Sequence, residues 1–206
     1  VRRAMMMATD FESILKGLYG GKGLYQTWPN AYFKEYEDLY LRLDAPDCPA
    51  SVKELYRYNP EKAKQLLKEA GYPDGFDTIF SYPLDRQAES LAVIASLAQV
   101  GIRAEAKGYE PTTWATMLWN SQHVGMGYIH QPWWAGSTVF DIGDLIYGWG
   151  AQGTRGSAEI KAAYEAQIAA PTVEEYTQAC KAAEDVLIGL NFQIVVWAVN
   201  GAYGYT

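Results

Sequence analysis

The segment NPEKAKQLLKEAGYPDGFDTIFSY predicts a helix, a tight turn and a strand in direct succession. Asn59 is a good N-cap residue and Pro60 suits the first helical position. Gly71 is expected to end the helix, after which the Pro-Asp-Gly turn at 73–75 leads into a strand over 76–82. The buried helix face follows the i, i+3, i+4, i+7 spacing and is formed by Ala63, Leu66, Leu67 and Ala70.

Helical and strand patterns alternate along the rest of the chain. A second helix of this kind has Leu91, Ile94 and Ala95 on its predicted buried face, together with Ala98. This alternation favours an α/β fold with a mixed sheet flanked by helices, and we expect residues 1–206 to form a single α/β lobe. Helices are predicted over 11–19, 51–56, 85–99, 111–118, 157–170 and 173–190, and further strands over 102–106, 124–131 and 193–199.

The charge and hydropathy of the chain argue against nucleic-acid binding and against a membrane-spanning helix. A net charge of -7 and a pI near 4.9 argue against nucleic acid, whose affinity comes largely from Lys and Arg. No apolar run approaches the roughly 20 residues that a membrane-spanning helix needs. The opening residues 1–8 have the pattern of a helix already under way, so we expect an excised domain whose upstream part carries any export signal.

Two cysteines leave the redox environment open. Cys180 shares a helical face with small and apolar side chains, which predicts a buried free thiol. Cys48 lies in the turn-rich stretch 44–51, and the sequence leaves its exposure open. A bridge between the two is the alternative, and it would suit an oxidising compartment.

Four phrases of the sequence, in the same order, resemble one protein family. Residues 1–4 with 8–14 are similar to its VRxAL…AIDRxxI helix pair, and 59–75 to its YDPEKAKxLLxEAGYPDG phrase. Residues 97–102 resemble its LxxxGI segment, and 172–196 its long terminal helix and the strand that follows. The chain is identified on these phrases as a C-terminal lobe of the family 5 extracytoplasmic solute-binding proteins of ABC importers, the peptide, nickel and oligosaccharide type.

This resemblance implies a function as well as a fold. It implies one lobe of a two-lobe fold like that of type II periplasmic binding proteins, with the solute trapped between the lobes. The partners are then a small-molecule solute, either an oligosaccharide or a peptide, the membrane subunits of an ABC permease, and the remaining lobe of the same chain. The location is extracytoplasmic, either periplasmic or lipid-anchored at the cell surface. No chemistry on the solute and no cofactor are expected.

The segment after the predicted strand 124–131 bears on the type of solute. The resemblance implies that, in peptide-binding members, an Asp a few residues after a Trp binds the α-ammonium group of the peptide. Here Trp133 and Trp134 are followed by no carboxylate before Asp141. Because burying an ammonium group without a partner costs several kcal/mol, we expect a neutral solute such as an oligosaccharide. An oligopeptide is the alternative, with Asp141 folded back or the charge supplied by the other lobe.

Seven residues are the predicted solute-binding residues. Exposed aromatic rings suit the apolar C–H faces of sugars, and imidazole and amide groups supply orienting hydrogen bonds. Trp28 has packing on the other lobe as its alternative, and Asn200 has capping of the last strand. The set comprises Tyr128, His130, Gln131, Trp133, Trp134, Trp28 and Asn200.

Enzymatic, metal-binding and interaction functions are the rival hypotheses. Asp141 and Asp144 are the carboxylates nearest the aromatic segment, and a carbohydrate-active enzyme would use them as an acid/base pair. Three residues apart on a helix, they are more simply a solvated face. His123 and His130 are spaced too widely along a strand for a metal site, and the GxGxxG letters at 148–153 follow no strand. The third hypothesis is an interaction module whose aromatic residues contact a protein partner.

Overall fold

The computed structural model describes residues 1–22, 43–120, 122–128 and 157–190. These residues fall into two units, one with 1–22, 55–120 and 122–128 and the other with 43–54 and 157–190. Across the described helices, no segment combines the length and the apolar character that crossing a bilayer requires.

Helices and strands alternate over residues 60–127, as expected from the sequence. A single 3₁₀ turn, Leu84–Arg86, separates the first strand from the helix after it. The helices and strands are α1 (Arg2–Ala8), α2 (Phe11–Tyr19), α3 (Ala50–Leu55), α4 (Pro60–Glu69), β1 (Phe76–Pro83), α5 (Gln87–Ala98), β2 (Ile102–Tyr109), α6 (Pro111–Trp119), β3 (Met126–Gly127), α7 (Ala158–Ala169) and α8 (Val173–Leu190).

The described strands form one parallel sheet in the order β2-β1-β3. Phe76 pairs with Ile102 at one end of the sheet, and Ser81 pairs with Gly127 near the other. The predicted α/β class, a sheet flanked by helices, is therefore confirmed. β2 is longer than predicted, and within 124–128, the described part of the predicted strand 124–131, Met126–Gly127 forms a strand. The predicted strand 193–199 lies outside the described residues.

Local capping explains where the first helices begin and end. The Asp10 carboxylate accepts a hydrogen bond of 3.0 Å from the backbone N–H of Ser13, and Gly20 ends α2 in the left-handed conformation with φ 61°. The Asn59 side chain accepts a bond of 3.0 Å from the N–H of Lys62 at the start of α4. The Asn59 cap agrees with the prediction from the sequence. Both side chains satisfy amide groups that lack a partner within the helix.

Removing the α4 cap gives a measurable loss of stability. We expect Asn59→Ala to lower the free energy of unfolding by about 1 kcal/mol, the usual cost of losing such a cap. Urea denaturation measures the change, and Asn59→Ser, which keeps an acceptor oxygen, is the control. Equal loss in both variants would contradict the role of the side-chain bond, because only one of them removes it.

The core of the first unit begins with α1, in which every residue from Ala4 to Ala8 is buried. α1 packs on α4, and the backbone N–H of Asn59 donates to the carbonyl of Met7 at 2.8 Å. On α4 the buried residues are Ala63 and Leu67. The predicted face was too wide, because Leu66 is half-buried and Ala70 is exposed at the C-terminal end of the helix.

The buried face of α5 differs from the prediction. Leu91 is 40% exposed, Ile94 is half-buried, and Ala95 and Ala98 are exposed. The buried face is instead formed by Glu89, Ser90, Val93 and Leu97. The prediction was wrong because α5 is apolar on nearly all sides, so that hydrophobic periodicity alone selects no face.

The second unit contains the α7–α8 pair and the α3 region. Cys180 is buried against α7, where the Gln167 side-chain amide donates to its Sγ at 3.2 Å, which confirms the predicted buried thiol. Cys48 is also buried. Its segment is folded into turns and is tied to α8 by the bond of 2.6 Å from Lys181 to Asp47. The alternative disulfide between Cys48 and Cys180 is not formed.

Candidate functional site

The sheet topology marks one edge as the expected position of a binding site. From β1 the chain passes through α5 to β2 on one side, then returns through α6 to β3 on the other side. Because such crossovers are right-handed, α5 and α6 lie on opposite faces of the sheet. The strand order thus reverses between β1 and β3. In open α/β sheets, ligands bind outside the carboxyl ends of the strands at this kind of reversal.

Tyr128 stands at the carboxyl end of β3, beside the reversal. Its backbone N–H donates to the carbonyl of Ser81 at 2.8 Å and so continues the pairing with β1. Its carbonyl accepts a bond of 2.9 Å from the indole Nε1 of Trp114, a buried residue of α6. Gly127 permits this approach, because a Cβ at that position would lie 2.8 Å from Cη2 of the Trp114 ring.

Aromatic rings support Trp114 from two sides. Tyr109, at the end of β2, stacks on the indole with ring centroids 6.1 Å apart, and His123 meets it edge-on at 5.8 Å.

Glu110 caps α6 by accepting from the N–H of Thr113 at 3.0 Å. The amide hydrogen bonds from Thr113 and then Thr112 lower the pKa of the Glu110 carboxyl. The carboxylate is therefore fixed at the cap at neutral pH, and the helix that carries Trp114 is anchored at its start.

A buried carboxylate lies near the carboxyl end of β1. Glu89, in the first turn of α5, is only 7% exposed. Its Oε1 accepts a short hydrogen bond of 2.6 Å from the Tyr19 hydroxyl at the end of α2. The Arg86 guanidinium lies 3.7 Å from the same oxygen, and 3.9 Å from the Asp85 carboxylate. The charge of Glu89 is therefore compensated within the protein.

The Tyr128 hydroxyl interacts electrostatically with Glu89, Arg86, Tyr19 and Asp85. Burial, and then the negative charge of Glu89, raise the pKa of the Tyr128 hydroxyl, and the positive charge of Arg86 opposes that rise only in part. Tyr128 is consequently a neutral phenol at any physiological pH. It offers one O–H donor and an acceptor oxygen to a solute. We refer to Tyr19, Asp85, Arg86, Glu89 and Tyr128 as the edge cluster.

Among the seven predicted site residues, Tyr128 is the one that lies within the described part of the chain. It is at the expected edge of the sheet. His130, Gln131, Trp133, Trp134, Trp28 and Asn200 lie outside the described residues, as do Asp141 and Asp144 of the rival enzyme hypothesis.

Sequence reasoning missed Tyr19, Arg86 and Glu89. The available signal was a single acidic residue near the start of an otherwise apolar helix that directly follows a strand. Charged residues are rarely buried unless they are paired, so this position on an apolar helix was a sign of a compensated cluster.

Metal binding has no candidate group in the part of the chain that the structure describes. His123 is half-buried there, and no set of three or more His, Cys, Asp or Glu side chains is placed to hold an ion. The Nδ1 atom of His123 is buried and has no hydrogen-bond partner among these residues.

Residues 1–155 match the model of the bacterial extracellular solute-binding proteins, family 5 Middle. The chain belongs to this family. Among curated family 5 relatives, heme-binding protein A of Haemophilus influenzae is 33% identical over 123 residues, which are 53% of this chain and 19% of the relative. The dipeptide-binding protein of Escherichia coli is 31% identical over 119 residues, 53% of this chain and 20% of that protein. The chain thus matches about a fifth of each relative's length.

Solved structures show which fold the family 5 chain adopts. The periplasmic oligopeptide-binding protein of Thermotoga maritima with bound mannohexaose superimposes with a TM-score of 0.74 at 18% identity. The match covers 98% of this chain and 41% of that protein. The predicted relation to the two-lobe, type II periplasmic binding proteins is confirmed at the level of the fold.

Proposed function

We propose that this chain takes part in capturing a solute outside the cytoplasm and in delivering it to the membrane subunits of an ABC import permease. Membership of a family of extracellular solute-binding proteins supports this proposal. The solute binds at the carboxyl edge of β1 and β3 and is enclosed by the remaining lobe of the protein. No chemistry is performed on it, and the curated relatives named above are binding proteins. That residues 1–206 form a single lobe stays a prediction.

The solute is neutral, such as an oligosaccharide. The observation that carries this proposal is that Glu89 is already matched, by the Tyr19 hydroxyl at 2.6 Å and the Arg86 guanidinium at 3.7 Å. Glu89 therefore needs no ammonium group of the solute to compensate its buried charge. A polyhydroxylated solute needs hydrogen-bond donors and acceptors, which the Tyr128 hydroxyl and the Arg86 guanidinium of the edge cluster provide.

Aromatic residues provide the second part of the proposed site. Tyr128 offers a half-buried ring and a neutral hydroxyl at the sheet edge. In the proposal, Trp133 and Trp134 contact the apolar C–H faces of the solute, while His130 and Gln131 orient it by hydrogen bonds. Trp28 and Asn200 complete the set of proposed contacts.

An oligopeptide is the second candidate solute. The name of the Escherichia coli relative, a dipeptide-binding protein, favours it, whereas the Thermotoga maritima neighbour was solved with a mannohexaose. For a peptide, the ammonium group would need a carboxylate beyond Glu89. Asp141 is the candidate for that role in this chain.

Thermal-shift measurements on the full-length protein test the solute class. We expect neutral oligosaccharides to raise the melting temperature and di- to pentapeptides to leave it unchanged. A ligand at a hundred times its Kd adds about 2.7 kcal/mol to the stability of the folded state, which such measurements resolve. Tyr128→Phe is expected to weaken the sugar response, with the exposed Tyr58→Phe as the matched control. Stabilisation by peptides that is lost in Asp141→Asn would overturn the neutral-solute proposal in favour of the peptide.

A further inference from the structure

We propose that Arg86 is a specificity-determining residue, which donates hydrogen bonds to a neutral oxygen of the solute while Asp85 and Glu89 exclude acidic solutes. The inference rests on the proposed function and names a residue and a selection rule for the same site. The proposed selection depends on the charge balance of the edge cluster, and no sequence motif predicts that balance.

Arg86 occupies the position where a solute is expected. It follows Pro83, the last residue of β1, by three positions and is the N-cap of α5, so it stands at the strand-order reversal. Its backbone is fixed, because the hydroxyl of the fully buried Ser90 donates to its carbonyl at 2.7 Å. Its side chain is 35% exposed, and a solute can reach it there.

The guanidinium has unused hydrogen-bonding capacity. Its distances to the Glu89 and Asp85 oxygens, 3.7 and 3.9 Å, are those of ion pairs and exceed hydrogen-bond length. Within residues 1–22, 43–120, 122–128 and 157–190, no acceptor takes a hydrogen bond from the Arg86 guanidinium. A guanidinium carries five N–H donors in a rigid planar fork. The two carboxylates therefore hold the group in place without occupying its donors.

The same two carboxylates decide what kind of acceptor the site takes. With Asp85 and Glu89 beside it, the positive charge of Arg86 is already more than balanced. A carboxylate on the solute would add a third negative charge around one guanidinium, which is unfavourable in a partly buried site. A sugar hydroxyl or an amide carbonyl accepts from the same N–H groups without that repulsion. Arg86 thus selects neutral oxygens, although arginine alone would favour carboxylates.

Matched pairs of probes test the rule by calorimetry on the full-length protein. One pair is mannohexaose and the corresponding hexamannuronate, which carries carboxylates in place of hydroxymethyl groups. The other pair is N-acetyl-trialanine amide, which is uncharged, and N-acetyl-trialanine with a free carboxylate. We expect Glu89→Gln, which keeps the acceptor for Tyr19, to raise the acid-to-neutral affinity ratio about tenfold, since 1.4 kcal/mol corresponds to that factor. Arg86→Gln should weaken binding of the neutral probe at least tenfold, as loss of a charge-assisted bond does.

Two controls separate the possible failures. Glu12→Gln removes an exposed carboxylate from the first turn of α2 and should leave the affinity ratio unchanged. Circular dichroism and melting temperature establish that each variant is folded. If the unaltered protein binds a probe and Glu89→Gln leaves the ratio unchanged, or Arg86→Gln binds the neutral probe as tightly, the inference is wrong and the proposed function stands. If the unaltered protein binds neither pair, the proposed function and the inference both fall.

Discussion

Gly75→Ala is expected to lower the free energy of unfolding by about 2–5 kcal/mol, from left-handed strain and overpacking together. Gly75 has φ 75°, a conformation that alanine adopts only with strain. An alanine Cβ there would also overlap the carbonyl oxygen of Gly101 and lie 2.8 Å from its Cα. Both atoms are backbone, so no side-chain rotation relieves the contact.

The matched control is Gly71→Ala, which separates strain from overlap. Gly71 has φ 90°, yet a Cβ at this position meets no atom within 4 Å. Its variant should therefore lose only the strain energy, about 1–2 kcal/mol. Urea denaturation of both variants gives the comparison. Equal losses would contradict the close approach of Gly75 to Gly101.

The close approach of Gly75 to Gly101 also affects how β1 and β2 pair in the sheet. Gly75 directly precedes β1 and Gly101 directly precedes β2, and the N–H of Phe76 donates to the Gly101 carbonyl at 3.2 Å. The two glycines thus let the strands start side by side, with Phe76 opposite Ile102. A one-residue slip would exchange the two faces of β1, so this junction contributes to the register as well as to stability.

Local signals explain why α2, α4, α8 and β1 could be predicted from the sequence. Asp10 and Asn59 cap helices, glycines in the left-handed conformation end them or form the turns, and β-branched and aromatic residues follow in the strand. Each of these signals acts within about four residues, the range of a cap or a turn. The bounds Phe11–Tyr19 and Val173–Leu190 agree with the prediction for that reason.

The edge cluster could not be predicted in the same way. Tyr19 and Glu89 are 70 positions apart, and their hydrogen bond depends on how α2 meets α5. No local pattern encodes that packing. Neighbours along the chain reveal carboxylates only near the Trp residues, whereas the fold places Glu89 of α5 near Tyr128. The neutral-solute proposal consequently rests on the matched charge of Glu89 rather than on the absence of acidic residues.

The orientation of α5 decides the position of Glu89, and it can be tested by a second pair of variants. Glu89, Val93 and Leu97 follow each other at intervals of four residues, so the stripe that buries the two apolar side chains also buries the carboxylate. If the face first expected from the sequence were the buried one, Leu91 would take the place of Leu97 and Glu89 would turn away from Tyr19.

Leu97→Ala is expected to lower the free energy of unfolding by about 2–5 kcal/mol, because Leu97 is fully buried and its removal leaves a cavity. Leu91→Ala removes the same atoms from the same helix at a position 40% exposed, and should change stability by no more than about 0.5 kcal/mol. Helix propensity changes equally in both, so the difference reports burial alone. Denaturant unfolding of the two variants measures it. A larger loss for Leu91→Ala would reverse the orientation of α5 and remove Glu89 from the proposed site.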